Sequence, residues 1–400
     1  MPHKRCREIE NLLIKRIKLW PVLGVVGVRQ CGKSTLLRDL FLARHSGIYQ
    51  TMDSKTQRAR AQQVPESFTA LDKNKDLLII DEVQKVPDLF DAIKLHVDQN
   101  RRPGMYIISG STEFSKLTGI RESLTGRIGV LRLYPMTLSE LHSRSYGNYF
   151  INKNKPLPSA LNLKEFDRKL FRGGMPGLCF LRNDDEFATA CDVWLETTCY
   201  RDLLQVHSKS LNGDLAMEIL MVIAKDPEPT LAEIARKLRR DARQIKPYLE
   251  ALAAILVVHK LEPHEAGVGK TQYALCDSGL ASHLGAEREA QLRIHLLTEA
   301  LAKFEYAGFG RPLIKTYRNE KTSRVPLVLE WVTHKSIESV AIAYYDGEAV
   351  PSHEYERLWA FAKRASPKKH RLLLLTHTRE SYVEKSKHHT QPIEVFCLRA

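Results

Sequence analysis

The sequence has few cysteines, and their spacing argues against stabilisation by disulfides or by a structural zinc ion. Its 400 residues include seven cysteines, at positions 6, 31, 179, 191, 199, 276 and 397, and no two of them form a CxxC pair. This pattern favours neither a disulfide framework nor a zinc ribbon, so we expect a reducing, cytoplasmic setting. The sequence also lacks any apolar run of about 18 residues, so no membrane-spanning segment is predicted.

Acidic residues are scarcer than basic ones. Asp and Glu total 47 against 61 Lys and Arg, which gives a formal net charge of +14 and a pI of about 9.4. The excess is concentrated in residues 1–45, with ten basic against three acidic residues, and in residues 351–400, with ten against five. This charge favours association with a polyanion such as DNA or RNA, although solvated basic faces explain the same bias. A protein partner is also compatible with the sequence.

Residues 27–34 match the pattern GxxxxGK[ST] of phosphate-binding loops. The apolar segment 22–26 before the loop predicts a buried parallel strand, and residues 34–43 after it have apolar residues at helical spacing. Glycine-rich backbone and the N–H groups of a helix start attract phosphate oxygens. We therefore predict a nucleoside triphosphate site that includes Gly27, Arg29, Gln30, Cys31, Gly32, Lys33, Ser34 and Thr35.

A second motif, Leu-Leu-Ile-Ile-Asp-Glu at residues 77–82, predicts a buried strand that ends in two carboxylates. Asp81 and Ser34 are predicted to hold Mg²⁺, which prefers oxygen ligands, while Lys33 reaches the outer phosphates. Glu82 is the predicted base that orients and deprotonates water, and its presence favours hydrolysis over transfer to a substrate hydroxyl. The alternative is a buried strand that simply meets solvent at two charged residues.

Two further features follow in chain order. A strand over 105–108 ends at Ser109 and Ser111, whose hydroxyls are candidate sensors of the nucleotide; the alternative is a polar turn. Arg127, after a glycine, is a candidate catalytic residue that contacts phosphate charge in its own subunit or a neighbouring one, because a guanidinium is always ionised and suits phosphate. A surface arginine after a turn is an equal alternative.

The remaining sequence predicts two more domains. Breaker-rich residues 143–164 suggest a linker, which gives limits of 1–150, 151–285 and 286–400. In the second domain Thr230 caps a short helix, a second helix covers 242–256, and residues 261–275 suggest a β-wing, the winged-helix pattern. The second helix offers Arg243 and Lys246 to phosphates and Gln244 and Tyr248 to bases, or else the module only packs against the nucleotide domain.

The order of these features resembles a family of bacterial and archaeal AAA+-type P-loop ATPases with a winged-helix segment and a restriction-endonuclease-like C-terminal domain. The matching stretches lie at residues 27–34, 81–85, 109–111, 124–127, 134–140, 173–176 and 277–280. The resemblance implies an α/β fold of the P-loop NTPase (AAA+/ASCE) type, a parallel sheet flanked by helices, with ATP and Mg²⁺ at Lys33, Ser34 and Asp81.

The C-terminal part departs from that family. The strands that carry Glu-Val-Asp and Glu-x-Lys in the family read Arg-Val-Pro at 324–326 and Ala-Ile-Ala at 341–343 here, and no (D/E)-x-K triplet follows residue 286. A two-carboxylate nuclease needs those groups to hold magnesium and position water, so a degenerate, nuclease-inactive α/β domain is predicted. Glu299 remains as a lone candidate carboxylate, and Tyr317, Arg318 and the basic segment 357–371 are candidate phosphate contacts.

The leading hypothesis is an ATPase that couples hydrolysis to a bound partner, plausibly nucleic acid. The alternative is a nucleotide-dependent molecular switch or DNA-binding regulator that holds ATP and turns over slowly. A pure scaffold would require a vestigial loop, which the intact Lys33, Ser34, Asp81 and Glu82 argue against. The sequence does not set an oligomeric state.

Overall fold

The computed structural model describes residues 5–71, 77–114, 124–143, 150–151, 162–206, 211–320, 323–333, 336–365, 370–378, 381–389 and 391–397. Most of the predicted linker, residues 144–149 and 152–161, lies outside this set, as do Glu122 and Ser123, which precede the motif at 124–127. The predicted domain limits therefore stay predictions. No helix in the described ranges is both long and apolar enough to cross a membrane.

The first half of the described chain is built on a parallel sheet. Its strands are β1 (Val22–Val26), β2 (Ile48–Thr51), β3 (Leu78–Asp81), β4 (Tyr106–Gly110) and β5 (Ile128–Arg132). They lie in the order β2-β3-β4-β1-β5, and every neighbouring pair is parallel. Strand β4 thus separates β1, which leads into the phosphate loop, from β3, which ends at Asp81. Because parallel strands end at one edge, the residues after these three strands meet there.

Helices cover this sheet and explain its continuous apolar strands. They are α1 (Glu10–Ile17), the π-type helix α2 (Thr35–Phe41), α3 (Lys55–Gln63), α4 (Pro65–Thr69), α5 (Asp88–Gln99) and α6 (Leu138–His142). Every residue of β1, β3 and β4 is buried, as expected for strands with helices on both faces. In α5 the buried Leu89, Phe90, Ile93 and Val97 form one stripe toward the core.

The middle of the chain is mainly helical. Its elements are α7 (Leu163–Arg172), α8 (Pro176–Cys179), α9 (Asp184–Thr197) with the π-type and 3₁₀ turns Thr198–Asp202 and Leu203–Gln205, α10 (Gly213–Lys225), α11 (Leu231–Lys237), α12 (Ala242–Ala254), the antiparallel pair β6 (Val258–Pro263) and β7 (Gln272–Leu275), and α13 (Ser278–His283). The predicted cap at Thr230 is present: its side chain accepts from Glu233 N, and Glu233 accepts from Thr230 N at 2.9 Å.

The last part of the described chain forms a mixed sheet. Its elements are α14 (Arg288–Tyr306), β8 (Leu313–Arg318), β9 (Arg324–Val332), β10 (Ile337–Tyr344), α15 (Ser352–Arg364), β11 (Arg371–Thr376), β12 (Tyr382–Glu384) and β13 (Ile393–Cys397). Strands β8, β9 and β10 are antiparallel, and β11 runs parallel to β10. The sheet order is β12-β13-β11-β10-β9-β8-β6-β7, so β6 joins this sheet by pairing parallel with β8.

Candidate nucleotide-binding site

The loop at residues 27–34 has a backbone that only particular residues allow. A Cβ on Gly27 would lie 2.4 Å from Leu133 O and 2.7 Å from Cys31 Sγ, so a side chain is excluded there. Gln30 and Gly32 have φ values of 62° and 100°, in the left-handed region that costs glycine little. Successive turns of this kind aim backbone N–H groups toward one point, the arrangement that binds anions.

Lys33 lies inside this loop. Its Nζ donates to Gly27 O at 2.9 Å and to Val28 O at 3.2 Å, and the residue is only 4% exposed. The ammonium group is therefore satisfied by the carbonyls of its own loop. Contact with a phosphate would replace these neutral acceptors by a charged one, which makes a stronger hydrogen bond.

Asp81 is the centre of a hydroxyl cluster at the end of β3. It accepts hydrogen bonds from Ser34 Oγ at 2.6 Å, from Tyr49 OH at 2.5 Å and from Ser109 Oγ, and the Glu82 N–H donates to it at 3.1 Å. The structure thus brings together Ser34, Asp81 and Ser109, as the motifs predicted. Tyr49 was not predicted; burial first and the Asp81 carboxylate second raise the pKa of its phenol. These adjacent oxygens suit a hard divalent cation.

Glu82 follows in a constrained conformation. Its φ of 56° is left-handed, which is uncommon for a residue other than glycine and recurs at functional sites. Its carboxylate accepts from Gln84 Nε2 at 2.6 Å, and the same amide donates to Ser111 Oγ at 3.2 Å. Ser111 therefore reaches Glu82 through Gln84 and does not contact Asp81 as Ser109 does.

A cavity of about 540 Å³ lies over the loop. Of the predicted residues, those that line it are Arg29, Gln30, Gly32, Lys33, Ser34, Thr35 and Glu82. Its other walls come from distant segments: Arg5 and Arg7, the turn at Pro176 and Gly177, Phe180 and Leu181, and Arg201. The middle, helical part of the chain therefore covers the loop.

Two arginines meet one carboxylate at this cavity. Arg29 Nη1 lies 3.3 Å from Asp202 Oδ2, and Arg201 Nη2 lies 3.0 Å from Asp202 Oδ1. Arg201 precedes Asp202 on the π-type turn after α9, so no local motif marked it. A phosphate in the cavity would offer both guanidinium groups a second anion.

Arg127 lies elsewhere. Its Nε and Nη2 are 2.6 and 2.8 Å from the two carboxylate oxygens of Asp98, and its carbonyl accepts from Val22 N at the start of β1. The phosphate loop begins at the other end of that strand, on the order of 15 Å away. The predicted contact within the same subunit therefore has no geometric support, because Arg127 precedes its strand while the site follows the strands.

Arg7 ties the phosphate loop to the rest of the molecule. Its guanidinium donates to Cys31 O at 2.8 Å and to Tyr134 O at 2.7 Å, and its Nε lies 3.0 Å from Glu140 Oε1. Both side chains are buried, and Glu140 also accepts from Glu8 N at 2.8 Å. Burial raises the pKa of the Cys31 thiol, so this side chain stays neutral, and its Sγ packs against Gly27. No signal in the sequence pointed to Arg7.

Two of the stretches that carry the family resemblance, residues 173–176 and 277–280, contact each other and support one wall of this cavity. Asp277 accepts from Gly174 N at 2.7 Å and from the first N–H groups of α13, Gly279 and Leu280, at 2.9 and 3.1 Å. The carboxylate therefore fixes the turn that leads to Pro176 at the cavity wall. Residues 173–176 are among the stretches that carry the family resemblance, but the sequence did not predict their position over the nucleotide site.

Two residues that the sequence analysis offered as nucleic-acid contacts are buried. Tyr248 lies on the core face of α12 with Ile245 and Leu249 and accepts from Asn212 N, so it is not available to a base. Tyr317 is buried beside Phe361 and cannot grip a backbone, whereas Arg318 is exposed.

Glu299 caps α6 by accepting from Leu138 N at 3.1 Å, and burial raises its pKa to about 7. It faces the nucleotide domain instead of the C-terminal sheet, so it does not act as a remnant nuclease ligand.

The fold and the site together define a class. A parallel sheet flanked by helices, with a glycine-rich loop after β1, a strand ending in Asp-Glu and a third strand between the two, is the P-loop NTPase fold, which confirms the predicted fold class. Residues 20–142 match a family model described as an AAA domain, and residues 163–291 match one described as a domain of unknown function (DUF8612). The P-loop sheet, β1 to β5, lies wholly within the residues that are similar to AAA domains.

Among the curated proteins, the uncharacterized proteins Rv2008c of Mycobacterium tuberculosis and Mb2031c of Mycobacterium bovis are each 29% identical over 253 residues, 63% of this chain. The match covers 52% of their length, so the chain spans about half of the curated relatives it matches. Among solved structures, the Walker-type ATPase PABY2304 of Pyrococcus abyssi has a TM-score of 0.46 and 17% identity, covering 71% of this chain and 98% of that one. A RuvB mutant of Thermotoga maritima has a TM-score of 0.30 and 14% identity, covering 64% and 93%.

Proposed function

We propose that this protein binds ATP with Mg²⁺ and hydrolyses it. The observation that carries the proposal is the cluster in which Ser34 Oγ lies 2.6 Å from Asp81, beside a cavity lined by Lys33 and Glu82. Two adjacent oxygen ligands fit magnesium, and the loop N–H groups with Lys33 fit the phosphates. When bound, the metal would neutralise charge on the phosphate oxygens.

Each side chain then has a defined task. Asp81 also accepts from Tyr49 and Ser109, and these contacts would keep its carboxylate in place if Ser34 were to bind the metal. Glu82 would orient and deprotonate water, which requires its carboxylate to exchange the Gln84 amide for that water. Arg201 and Arg29 both line the cavity and are placed to contact phosphate charge, whereas Arg127 is left with a role across a subunit boundary or none.

We further propose that the nucleotide cycle is coupled to a partner, plausibly nucleic acid. Support comes from helix α11, a short turn, helix α12 and the β6–β7 hairpin, the element order of a winged helix, with Arg243, Gln244 and Lys246 exposed on α12. Because Phe180, Leu181 and Arg201 line the nucleotide cavity, a nucleotide would contact this middle region directly. In the last region the order α14-β8-β9-β10-α15-β11 supports a nuclease-like fold whose altered residues, Pro326 and Ala343, leave it inactive.

A slow-turnover switch is the second candidate. It is favoured by the 2.6 Å hydrogen bond that holds Glu82 on Gln84, and by the Lys33 ammonium held on loop carbonyls. In this form the protein would retain ATP and signal without rapid hydrolysis. Replacing Gln84 by alanine would then raise the turnover rate.

Phosphate release and Mg-ATP calorimetry test these proposals together. We expect Lys33→Ala to lose nucleotide binding, Glu82→Gln to bind normally with at least 100-fold slower release, and the exposed control Glu196→Gln to match wild type. Equal release rates in all four proteins would overturn the catalytic assignment. Rates measured with single- and double-stranded DNA over a salt series test the partner, since phosphate contacts give a steep salt slope.

A further inference from the structure

A second cavity, of about 310 Å³, lies in the C-terminal part of the described chain. Helix α14, the start of β9, the end of β10 and helix α15 supply its walls, and Pro326 and Ala343 are among the lining residues. These are the positions at which the sequence lacks the carboxylate and lysine of a nuclease. Arg293, Arg324 and Arg357 line the same cavity.

Arg293 is a buried cation without a carboxylate. It is 2% exposed, and its Nη1 and Nη2 donate to Pro227 O and to the Gln272 side chain, which are both neutral. Its Nε has no hydrogen-bond partner, and no carboxylate oxygen lies within 4.0 Å of it in the ranges that the structure describes. Burial lowers the pKa of Arg293, and the more distant acidic groups Glu228 and Asp226 offset this only in part.

The acidic groups around the cavity are already paired with other cations. Glu228 and Glu289 lie 3.5 and 3.2 Å from the guanidinium of Arg324. Glu354 contacts Arg357, and Asp346 contacts His377 at 2.7 Å and Arg288. Arg357 also keeps an Nε without a hydrogen-bond partner. Four carboxylates and three guanidinium groups line the cavity, so the lining as a whole has no positive surplus. Those carboxylates are paired, however, whereas Arg293 has no carboxylate within 4.0 Å among the described residues. This local unpaired cation is what favours an anion beside Arg293.

We propose that this cavity binds a phosphate monoester of mononucleotide size, with Arg293 and Arg357 holding the phosphate. A planar guanidinium matches phosphate geometry, and a buried unpaired charge is costly until an anion arrives. The volume lies at the lower end of small-ligand pockets, enough for a phosphate and one sugar or ring system. Tyr344 and Tyr345 line the cavity and can contact that ring. The phosphate belongs to a free mononucleotide or to the 5′ end of an oligonucleotide.

The test is calorimetry on the full chain with saturating Mg-ADP, which occupies the phosphate loop and separates the two sites. The probes are inorganic phosphate, AMP, and a hexanucleotide with and without a 5′ phosphate. We expect at least a tenfold loss of affinity in Arg293→Met and in Arg357→Met, and none in the exposed control Arg364→Met on the same α15 helix. Arg357→Met, which alters a less buried side chain, keeps the test valid if Arg293→Met does not fold.

Binding of AMP alone, or of the 5′-phosphorylated hexanucleotide alone, supports the proposal and identifies the source of the phosphate. A second signature is expected because a buried unpaired charge is removed: Arg293→Met should melt no lower than wild type while losing the ligand. The proposal is overturned if folded wild type binds none of the probes, if both variants bind as wild type does, or if citrate binds as well as AMP. None of these outcomes depends on ATP hydrolysis.

Discussion

Replacing Arg7 by methionine should destabilise the protein and weaken nucleotide binding, because Arg7 is one partner of a buried ion pair that also holds the phosphate loop. Removing one member of such a pair costs about 3–5 kcal/mol of unfolding free energy, mainly because the other charge is left buried. Glu140 keeps hydrogen bonds from Glu8 N and Thr137 N, so we expect the lower end, about 3 kcal/mol. Loss of the contact to Cys31 O should also weaken Mg-ATP binding by about tenfold, which corresponds to about 1.4 kcal/mol.

The double variant Arg7→Met/Glu140→Gln distinguishes this cause from general damage. A neutral amide leaves no buried charge, and its single oxygen still accepts from one of the two backbone N–H groups that bond Glu140, so the double variant should lose less than Arg7→Met alone. Lys260→Met is the control, since Lys260 and Glu262 are both about half exposed and their pair should contribute less than about 1 kcal/mol. Urea unfolding and Mg-ATP calorimetry measure both effects. The reasoning fails if the double variant loses the sum of the two single variants, or if Arg7→Met behaves like Lys260→Met.

Three further predictions follow from the same region. Arg201→Ala should slow phosphate release at least tenfold, whereas Arg127→Ala should leave the rate of dilute, monomeric protein unchanged. The opposite result would show that Arg127, and not Arg201, acts in hydrolysis within its own subunit. Because burial raises the pKa of Glu299 to about 7, the folded state binds its proton more tightly, so its contribution to stability falls as pH rises from about 4.5 through 7. Glu299→Gln should remove that slope and be more stable than wild type above pH 7, by up to about 3 kcal/mol, in urea titrations across pH. Asp277→Ala should destabilise the protein by about 2 kcal/mol and raise the Kd for nucleotide, while Thr230→Ala, a cap far from the cavity, should lower stability by about 1 kcal/mol and leave Kd unchanged.

The sequence predicted the parts of the site that are local. The loop at 27–34 and the carboxylates at 81 and 82 are set by glycines, a short apolar strand and a helix start within a few residues of one another, and the chain order of the strands implies that their ends meet. Tyr49 could not be found this way, because its contact with Asp81 depends on the pairing of β2 with β3. Arg201 and Phe180 reach the cavity from a separate part of the chain, and no periodicity encodes that approach.

For two candidate contacts, those of Tyr248 with a base and of Arg127 with phosphate in its own subunit, the geometry gives no support, for reasons that the sequence did contain. Tyr248 lies three residues after Ile245 and one before Leu249, which places it on the apolar face of its helix. Arg127 precedes strand β5 and so lies at the edge where parallel strands begin, whereas the phosphate loop follows β1 at the opposite edge. Motif order along a chain does not by itself say at which edge of the sheet a residue lies.

The pairing of β6 with β8 limits how this protein can be divided into fragments. It joins Glu262 to Lys315 and Pro263 to Thr316. Cutting the chain between residues 285 and 286 would separate β6 from β8 and leave one edge of each strand unpaired. Exposed strand edges of this kind pair with other chains and promote aggregation. The two fragments should therefore aggregate when they are expressed separately. Co-expression of both fragments should yield more folded protein.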